Sequence, residues 1–430
     1  MSTDTPGIDP LLALRAPQDP ACDVFLTGTV FLDIIFTGLD SAPVRGTESW
    51  ARGMGSSPGG VANMATALAR LGLRTSLAAA FGDDHYGEYC WDALEQGEGI
   101  DLSMSHTVPG WHSPVTVSMA YEGERTMVSH GHEAPAPTAL PGRTGPGGTE
   151  AAPAERDRAG FTPTEPVPAA SAPAEPASAV SASAASIPAE PTSAMSAPAE
   201  PAPTASVPVF PQCPPRARAA IASLVPGRSE PWVATAARQG ARIFADVGWD
   251  ETGRWDLDAL PDLAHCEAFL PNAEEAMRYT RTDCPRAAAH ALAERVPLAV
   301  VTLGAEGAYA VDGRTGAAAQ VPAIEVEALD PTGAGDVFVA GFVTGTLADW
   351  PLADRLAFAG LTAALSVREF GGSLSAPGWA EIAAWWQRIR TLDDQDPAAL
   401  ERYAFLEELL PTTARAWPLR RAVPTIGFRQ

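Results

Sequence analysis

Apolar residues recur along the chain in short runs, separated by stretches that alternate with a helical period. "CDVFLTGTVFLDIIF", residues 22 to 36, is rich in Val, Phe and Ile and reads as one buried strand that ends near Asp33. "TALARL", Thr66 to Leu71, reads as a helix stopped by Gly72, and "TSLAAAFGDDHYG" as strand, turn and a new helix start. "SPVTVSMAYEGERTMVSH" holds two alternating segments joined at Glu122 and Gly123, the pattern of a hairpin, and predicts a small β flap. Further on, "ARIFADVGW", "HCEAFLPN" and "PLAVVTLGAEGAYAV" alternate with helical stretches such as "LADRLAFAGLTAALSV". Strand and helix in turn predict an α/β fold with a mostly parallel central sheet.

Between about 134 and 211 the pattern stops. Pro, Ala, Ser and Glu dominate, and PAEP recurs at 173, 188 and 198. Such a segment has too few large apolar groups to offset its ordering entropy and is expected to stay extended and mobile. The chain therefore reads as a leader (1–20), one domain in two parts (21–133 and 212–390) around a 134–211 insert, and a C-terminal extension (391–430). Exchanging residues 145–205 for a short Gly/Ser linker is expected to leave cooperative thermal unfolding and turnover nearly unchanged. A lost unfolding transition in the shortened protein would make the segment structural.

With 430 residues, 46% of them hydrophobic, the chain can bury a large core. A net charge of −23 argues against nucleic acid as a partner. All 29 basic residues are arginine, which excludes a Walker A lysine, the strand lysine of a protein kinase and Schiff-base chemistry. The five scattered cysteines, without a CxxC pair, indicate neither a disulfide frame nor a zinc site. No basic apolar leader and no membrane-length apolar run is present, so a cytoplasmic protein with no membrane partner is expected.

One stretch carries chemistry. "LDPTGAGDVFVAGF", residues 329 to 342, removes side chains at Gly333, Ala334 and Gly335 and then places a carboxylate, Asp336, ahead of an apolar run. If that run is a helix, the bare amides at its positive end hold an anion such as a phosphoryl group. A carboxylate there suits a base that takes a proton from an attacking hydroxyl. A plain N-cap aspartate after a glycine turn explains the same residues more simply.

In its wider setting the sequence resembles the PfkB, or ribokinase-like, carbohydrate kinase family. "SSPGGVANMATALARLG" and "DPTGAGDVFVAGF" resemble its N- and C-terminal signatures, and "FGDDHYG", "LPNAEEA" and "VTLGAEGAY" resemble three elements between them, in family order. The resemblance implies a three-layer ribokinase-like fold and ATP-dependent phosphorylation of a hydroxyl. It assigns Asp336 as catalytic base and the amides of Gly333, Ala334 and Gly335 as an anion hole. Asp33, Gly59, Gly60 and Asn63 would meet the sugar; Asn272, Glu275, Thr302, Gly304 and Gly307 would meet the nucleotide. Glu275 would act through water on Mg2+, and Asp330 would bind a monovalent cation such as K+. The partners implied are ATP and a sugar or nucleoside; a homodimer through the flap is one assembly the family allows.

The sequence departs from the family at Pro58, in place of the first paired glycine, and at Asp250 and Glu251, where many relatives place a basic residue. A neutral sugar, nucleoside or related polyol is therefore the expected acceptor. Two alternatives stand beside it. A phosphosugar kinase needs an arginine near the flap, for which Arg125 is the candidate, and a catalytically weak ligand sensor or scaffold would keep the fold alone. His130 and His132 share a strand face without a visible third metal ligand, and Asp33 and Asn63 also suit a turn and a helix cap. Trp385 and Trp386 read as helix packing.

Overall fold

A computed structural model describes residues 15–121, 124–131, 213–250, 252–369, 371–392, 396–410 and 425–428. The 134–211 insert, residues 1–14 of the leader and much of the C-terminal extension lie outside the described residues. Of the two compact units of the chain, the described residues belong to the one formed by 1–137 and 207–430.

The strands in chain order are β1 (Cys22–Thr27), β2 (Val30–Leu39), β3 (Ala51–Gly60), β4 (Thr75–Ala78), β5 (Ala80–Gly82), β6 (His106–Val108), β7 (Val115–Tyr121) and β8 (Glu124–His130). They continue as β9 (Ala217–Leu224), β10 (Arg242–Val247), β11 (Ala268–Phe269), β12 (Leu298–Thr302), β13 (Ala308–Asp312), β14 (Ala318–Val321) and β15 (Thr425–Phe428). The helices are α1 (Val61–Arg70), α2 (His85–Asp92), α3 (Pro231–Arg238), α4 (Ala273–Thr280), α5 (Pro285–Ala293), α6 (Ala334–Leu347), α7 (Leu352–Ser366), α8 (Trp379–Thr391), α9 (Pro397–Arg402) and α10 (Leu406–Leu409).

The larger sheet runs β14-β13-β12-β11-β10-β9-β1-β4. Its neighbours from β12 to β4 are parallel, and β13 and β14 add antiparallel at one edge. Because successive strand residues face opposite ways, Val24 and Leu26 of β1 enter one apolar cluster while Phe25 enters the other. The first cluster is closed by α1, α6, α7 and α8, through residues such as Leu68, Phe342, Phe358 and Trp379. The second is closed by α3, α4 and α5, through Trp232, Ala276 and Leu292. This is the expected three-layer α/β arrangement, and covering both faces explains why the inner strands read as near-continuous apolar runs. Trp386 is buried on α8 and Trp385 packs beside it against the same cluster, as their pattern indicates.

A second sheet, β15-β3-β2-β7-β8, carries the predicted hairpin, with β7 and β8 paired antiparallel from Val115↔His130 to Tyr121↔Glu124. The apolar run 22–36 is not one strand, however. Gly28 and Thr29 break it, so β1 enters the larger sheet and β2 the smaller one. A Cβ on Gly28 would lie 2.8 Å from the Cβ of Val61, which explains the glycine at this crossing. Asp33 therefore lies in the middle of β2, not at the end of the first strand. Among the described residues no helix is long and apolar enough to cross a membrane.

Candidate active site

The site begins at Gly333, whose φ of 77° is left-handed and whose carbonyl accepts the first intrahelical bond of α6, from Val337 N–H at 2.9 Å. Gly333 is thus the N-cap. Asp336 stands in the first helical turn and is not a cap, so the simpler reading of this acid does not hold. The first-turn N–H groups have no intrahelical partner, and no side chain caps them; that of Ala334 donates to the Pro331 carbonyl at 3.3 Å.

Across from it, Gly60 (φ 63°) starts α1 at Val61, five residues ahead of the predicted Thr66. Asn63 consequently sits inside the helix and does not cap it. Its Nδ2 donates to Asp336 Oδ2 at 2.9 Å, joining residues 273 positions apart. A Cβ on Gly333 would stand 3.2 Å from the same amide, so the glycine also keeps the two helix starts close.

Asp33 is 6% exposed on β2 and lies against Gly59, where a Cβ would fall 1.9 Å from Asp33 Oδ2. At Gly60 a Cβ would fall 2.4 Å from the Thr29 carbonyl. Gly59 thus leaves room for the carboxylate and Gly60 for the Thr29 backbone, and Pro58 remains in the ladder opposite Leu32. Gly372, with φ 56°, also approaches Asp33, its Cβ position lying 3.9 Å from Oδ2. Sequence reasoning missed this segment, Gly372–Ser375. Its signals were the paired glycines 371–372, and Arg70 fixes it by donating to the carbonyls of Leu374 and Ala376 at 2.8 and 2.7 Å.

The nucleotide-side residues form a separate group. Asn272 caps α4 in a reciprocal box: its Oδ1 accepts from Glu275 N–H at 3.0 Å, and Glu275 Oε2 accepts from Asn272 N–H at 2.9 Å. Asn272 bridges to Thr302 at the end of β12. There Gly304 (φ 58°) and Gly307 (φ 101°) form a tight turn, and a Cβ on Gly307 would lie 2.0 Å from the Val321 carbonyl.

Between the two groups stands Asp246, which sequence reasoning also missed although it is an acid ending an apolar strand. It accepts from Ser223 Oγ at 2.6 Å and lines one cleft with Asp336, Gly60 and Thr27 to Thr29. The cleft, of about 470 Å³, opens at the C-terminal ends of β1, β9 and β10, where open α/β sheets hold their ligands. Burial raises the Asp246 pKa. Burial likewise raises Glu275, and the nearby Asp246 charge adds to it against the Asn272 hydrogen bonds.

That shift has a testable consequence. A glutamate whose folded pKa is raised keeps its proton longer when folded, so its contribution to stability falls as pH rises from the ordinary glutamate range through the raised value. Glu275→Gln retains the capping box, since glutamine serves at that position. In metal-free buffer the variant is expected to melt above the parent protein at pH 8, with the gain vanishing in acid. A lower melting temperature at pH 8 would contradict the shift.

Two acids in a shared low-dielectric setting fit a hydrated divalent cation, which prefers oxygen ligands. A monovalent cation has its own candidate. Asp330 is 2% exposed; its Oδ1 accepts from Thr332 N–H at 3.0 Å, while Oδ2 and Thr332 Oγ1 are buried without a hydrogen-bond partner among the described residues. Unsatisfied buried oxygens of this kind suit a cation.

Other expectations fall away or outside. Asp250 accepts from Thr252 and Trp255 N–H at 2.9 and 2.7 Å and so holds a turn; Glu251 lies outside the described residues. His130 is exposed with its ring 6.1 Å from that of His112, His132 lies outside the described residues, and among the described residues no three metal-ligating side chains cluster. Arg125 lies on β8, and its side chain is outside the described residues.

The three-layer fold with an acid at a glycine-opened helix start defines a ligand-binding α/β protein with its site at the strand ends. The particular family follows from comparison: residues 24–140 and 218–379 match the pfkB family carbohydrate kinases, and the chain belongs to that family. It is 33% identical over 129 residues to a ribokinase of Schizosaccharomyces pombe, a match covering 28% of this chain and 40% of the relative. It is 30% identical over 155 residues to a 1-phosphofructokinase of Vibrio cholerae, covering 35% and 46%. The chain thus spans less than half the length of these curated relatives. The fold is shared with the Arabidopsis thaliana ribokinase solved with ribose and ATP, at TM-score 0.56 and 18% identity over 84% of this chain and 96% of that one.

Proposed function

We propose that this protein is an ATP-dependent kinase acting on a hydroxyl of a neutral sugar, nucleoside or related polyol. The observation that carries the reading is the 2.9 Å bond from Asn63 to Asp336, which orients a carboxylate at the uncapped start of α6. Asp336 takes the proton of the attacking hydroxyl. The amides of Gly333, Ala334 and Gly335, at and just inside the start of α6, receive the charge of the transferred phosphoryl group, a service that needs positioned donors and no further covalent chemistry. Asp33 and Asn63 hold acceptor hydroxyls, with Gly59 and Gly60 allowing close backbone approach. Asn272, Glu275, Thr302, Gly304 and Gly307 face the nucleotide. When bound, Mg2+ supplies charge neutralisation at the phosphates; Glu275, with Asp246, would hold its water shell, and Asp330 would hold K+.

The smaller sheet, carrying Asp33, serves as a lid that excludes water competing with the acceptor. Exposed Met54 and Val128 on this sheet, with exposed Trp50 just ahead of β3, support a homodimer through the lid, which sedimentation would test. The insert 134–211 acts as a spacer, and the protein works in the cytoplasm. The relatives named above, a ribokinase and a 1-phosphofructokinase, support a sugar-like acceptor. A screen of ADP release over neutral sugars and nucleosides tests the proposal. Release with none of them, from protein that binds ATP, would favour a ligand sensor.

A further inference from the structure

Helix α1 touches both halves of the proposed site. Near its start Asn63 donates to Asp336, and in its last turn Arg70 donates to the 372–375 turn that approaches Asp33. Seven residues make about two helical turns, so the two side chains leave one face of α1, about 10 Å apart along its axis.

Arg70 acts as a fork with two edges. Its Nε and Nη2 donate to Glu98 Oε2 and Oε1 at 2.9 and 2.7 Å, with the two side chains 4% and 1% exposed. Its Nη1 donates to the carbonyls of Leu374 and Ala376, 304 and 306 positions along the chain. A carboxylate that grips one edge of a planar guanidinium fixes the direction of the other, so Glu98 aims Nη1 at the turn.

The turn is also tied to the strand in front of it. Ser373 Oγ donates to the Pro58 carbonyl of β3, and Ser375 Oγ closes the turn on the Gly372 carbonyl at 2.6 Å. Gly371 and Gly372, with φ 125° and 56°, give it a backbone that favours glycine, and a Cβ on Gly372 would stand 3.0 Å from Ser57 Oγ. Ser57 is the partner of Asp33 across β3 and β2. The turn is therefore held between Arg70 behind it and the strand that carries Ser57 and Gly59. Glu98 alone would balance the charge of Arg70. The two bonds from Nη1 serve a single turn, and that turn reaches the acid proposed to hold the acceptor.

We propose that Arg70 is a positioning residue of the acceptor site: through the 372–375 turn it keeps the acceptor against Asp33 at a set distance from Asp336. Because Asn63 and Arg70 stand on one helix, α1 fixes the base and the acceptor wall together. The proposal rests on the kinase reading for the roles of Asp33 and Asp336.

Removing one member of a buried pair strands the other charge, so both are replaced together in Arg70→Met/Glu98→Gln. Arg70→Lys is the conservative variant, which keeps a cation beside Glu98 but presents one ammonium in place of the fork. D-ribose and adenosine are the probes, read by ADP release and by calorimetric binding, and each protein is checked for a cooperative thermal transition. KM for the acceptor is expected to rise about tenfold in the double variant and about fivefold in Arg70→Lys, with kcat and KM for ATP within about threefold of the parent. Leu292→Ala, on α5 in the other apolar cluster, is expected to lower the melting temperature without moving the acceptor KM, which separates positioning from lost stability. An acceptor KM within about twofold of the parent in either folded variant, or acceptor and ATP KM rising together, overturns the role of Arg70. A parent protein that binds a probe without releasing ADP overturns the kinase reading, and calorimetry then decides: affinity for the probe weakened about tenfold in the double variant supports the positioning role, and unchanged affinity overturns it. A parent that neither binds nor phosphorylates either probe overturns both.

Discussion

Asp336→Asn is expected to lower kcat by ~10²–10⁴ while ATP affinity stays within a few-fold, because an amide cannot accept the hydroxyl proton but the first-turn amides of α6 are untouched. The substitution isolates the proton step. Asparagine keeps the size of the side chain, and its carbonyl oxygen can still accept from Asn63 Nδ2, the 2.9 Å bond that orients the acid in the parent protein. Because Gly333 and not Asp336 caps the helix, stability should hold, and the melting temperature is to be read on the same sample as turnover. Normal turnover in the variant would remove Asp336 from the chemistry. A conserved melting temperature with kcat lost and ATP binding kept is the outcome the base requires.

How far this site could be read in advance depended on whether its parts are local. The Gly-Ala-Gly-Asp turn is legible because a run of small residues ahead of one acid makes a demand on the backbone that nearby sequence alone can state. The capping box of Asn272 and Glu275 is legible for the same reason, being complete within four residues. The start of α1 was placed late because Val61 to Ala65 carry no cap or acidic first turn, and only the left-handed Gly60 marks the boundary. Asp33 was set at a strand end because the apolar run reads through Gly28; the change of sheet there is a tertiary event, set by the approach of Val61 to Gly28.

Asp246 and Gly372–Ser375 carry only slight local marks, an acid near the end of an apolar strand and a pair of glycines. Each gains its meaning from a partner far along the chain, as when the Gly372 segment reaches Asp33 or Asp246 meets Ser223 and the field of Glu275. Periodicity identifies which faces pack, and so it yielded the α/β fold with a mostly parallel sheet, while the three layers came with the family resemblance. It carries no information on which two strand ends face one another across a cleft.

Gly59 provides a sharper test of the acceptor side than Asp33 does alone. Its φ is not left-handed, so alanine meets no backbone strain, and the only obstacle is space: the new Cβ would fall 1.9 Å from Asp33 Oδ2 and 2.1 Å from its Cγ. The carboxylate must move to admit it, and with it the hydrogen bonds proposed to hold the acceptor. A charge-assisted hydrogen bond is worth about 1.5–3 kcal/mol, so losing one or two should cost ~10²–10³ in acceptor kcat/KM, with ATP affinity little changed. Asp33→Ala should cost a similar factor by removing the same group. The double variant then decides between displacement and general damage. If Gly59→Ala acts only through Asp33, the pair should be no worse than Asp33→Ala alone, since the methyl group now enters the space the carboxylate has left. Losses that multiply would show that Gly59 supports the site by another route, and full activity in Gly59→Ala would remove Asp33 from the acceptor site.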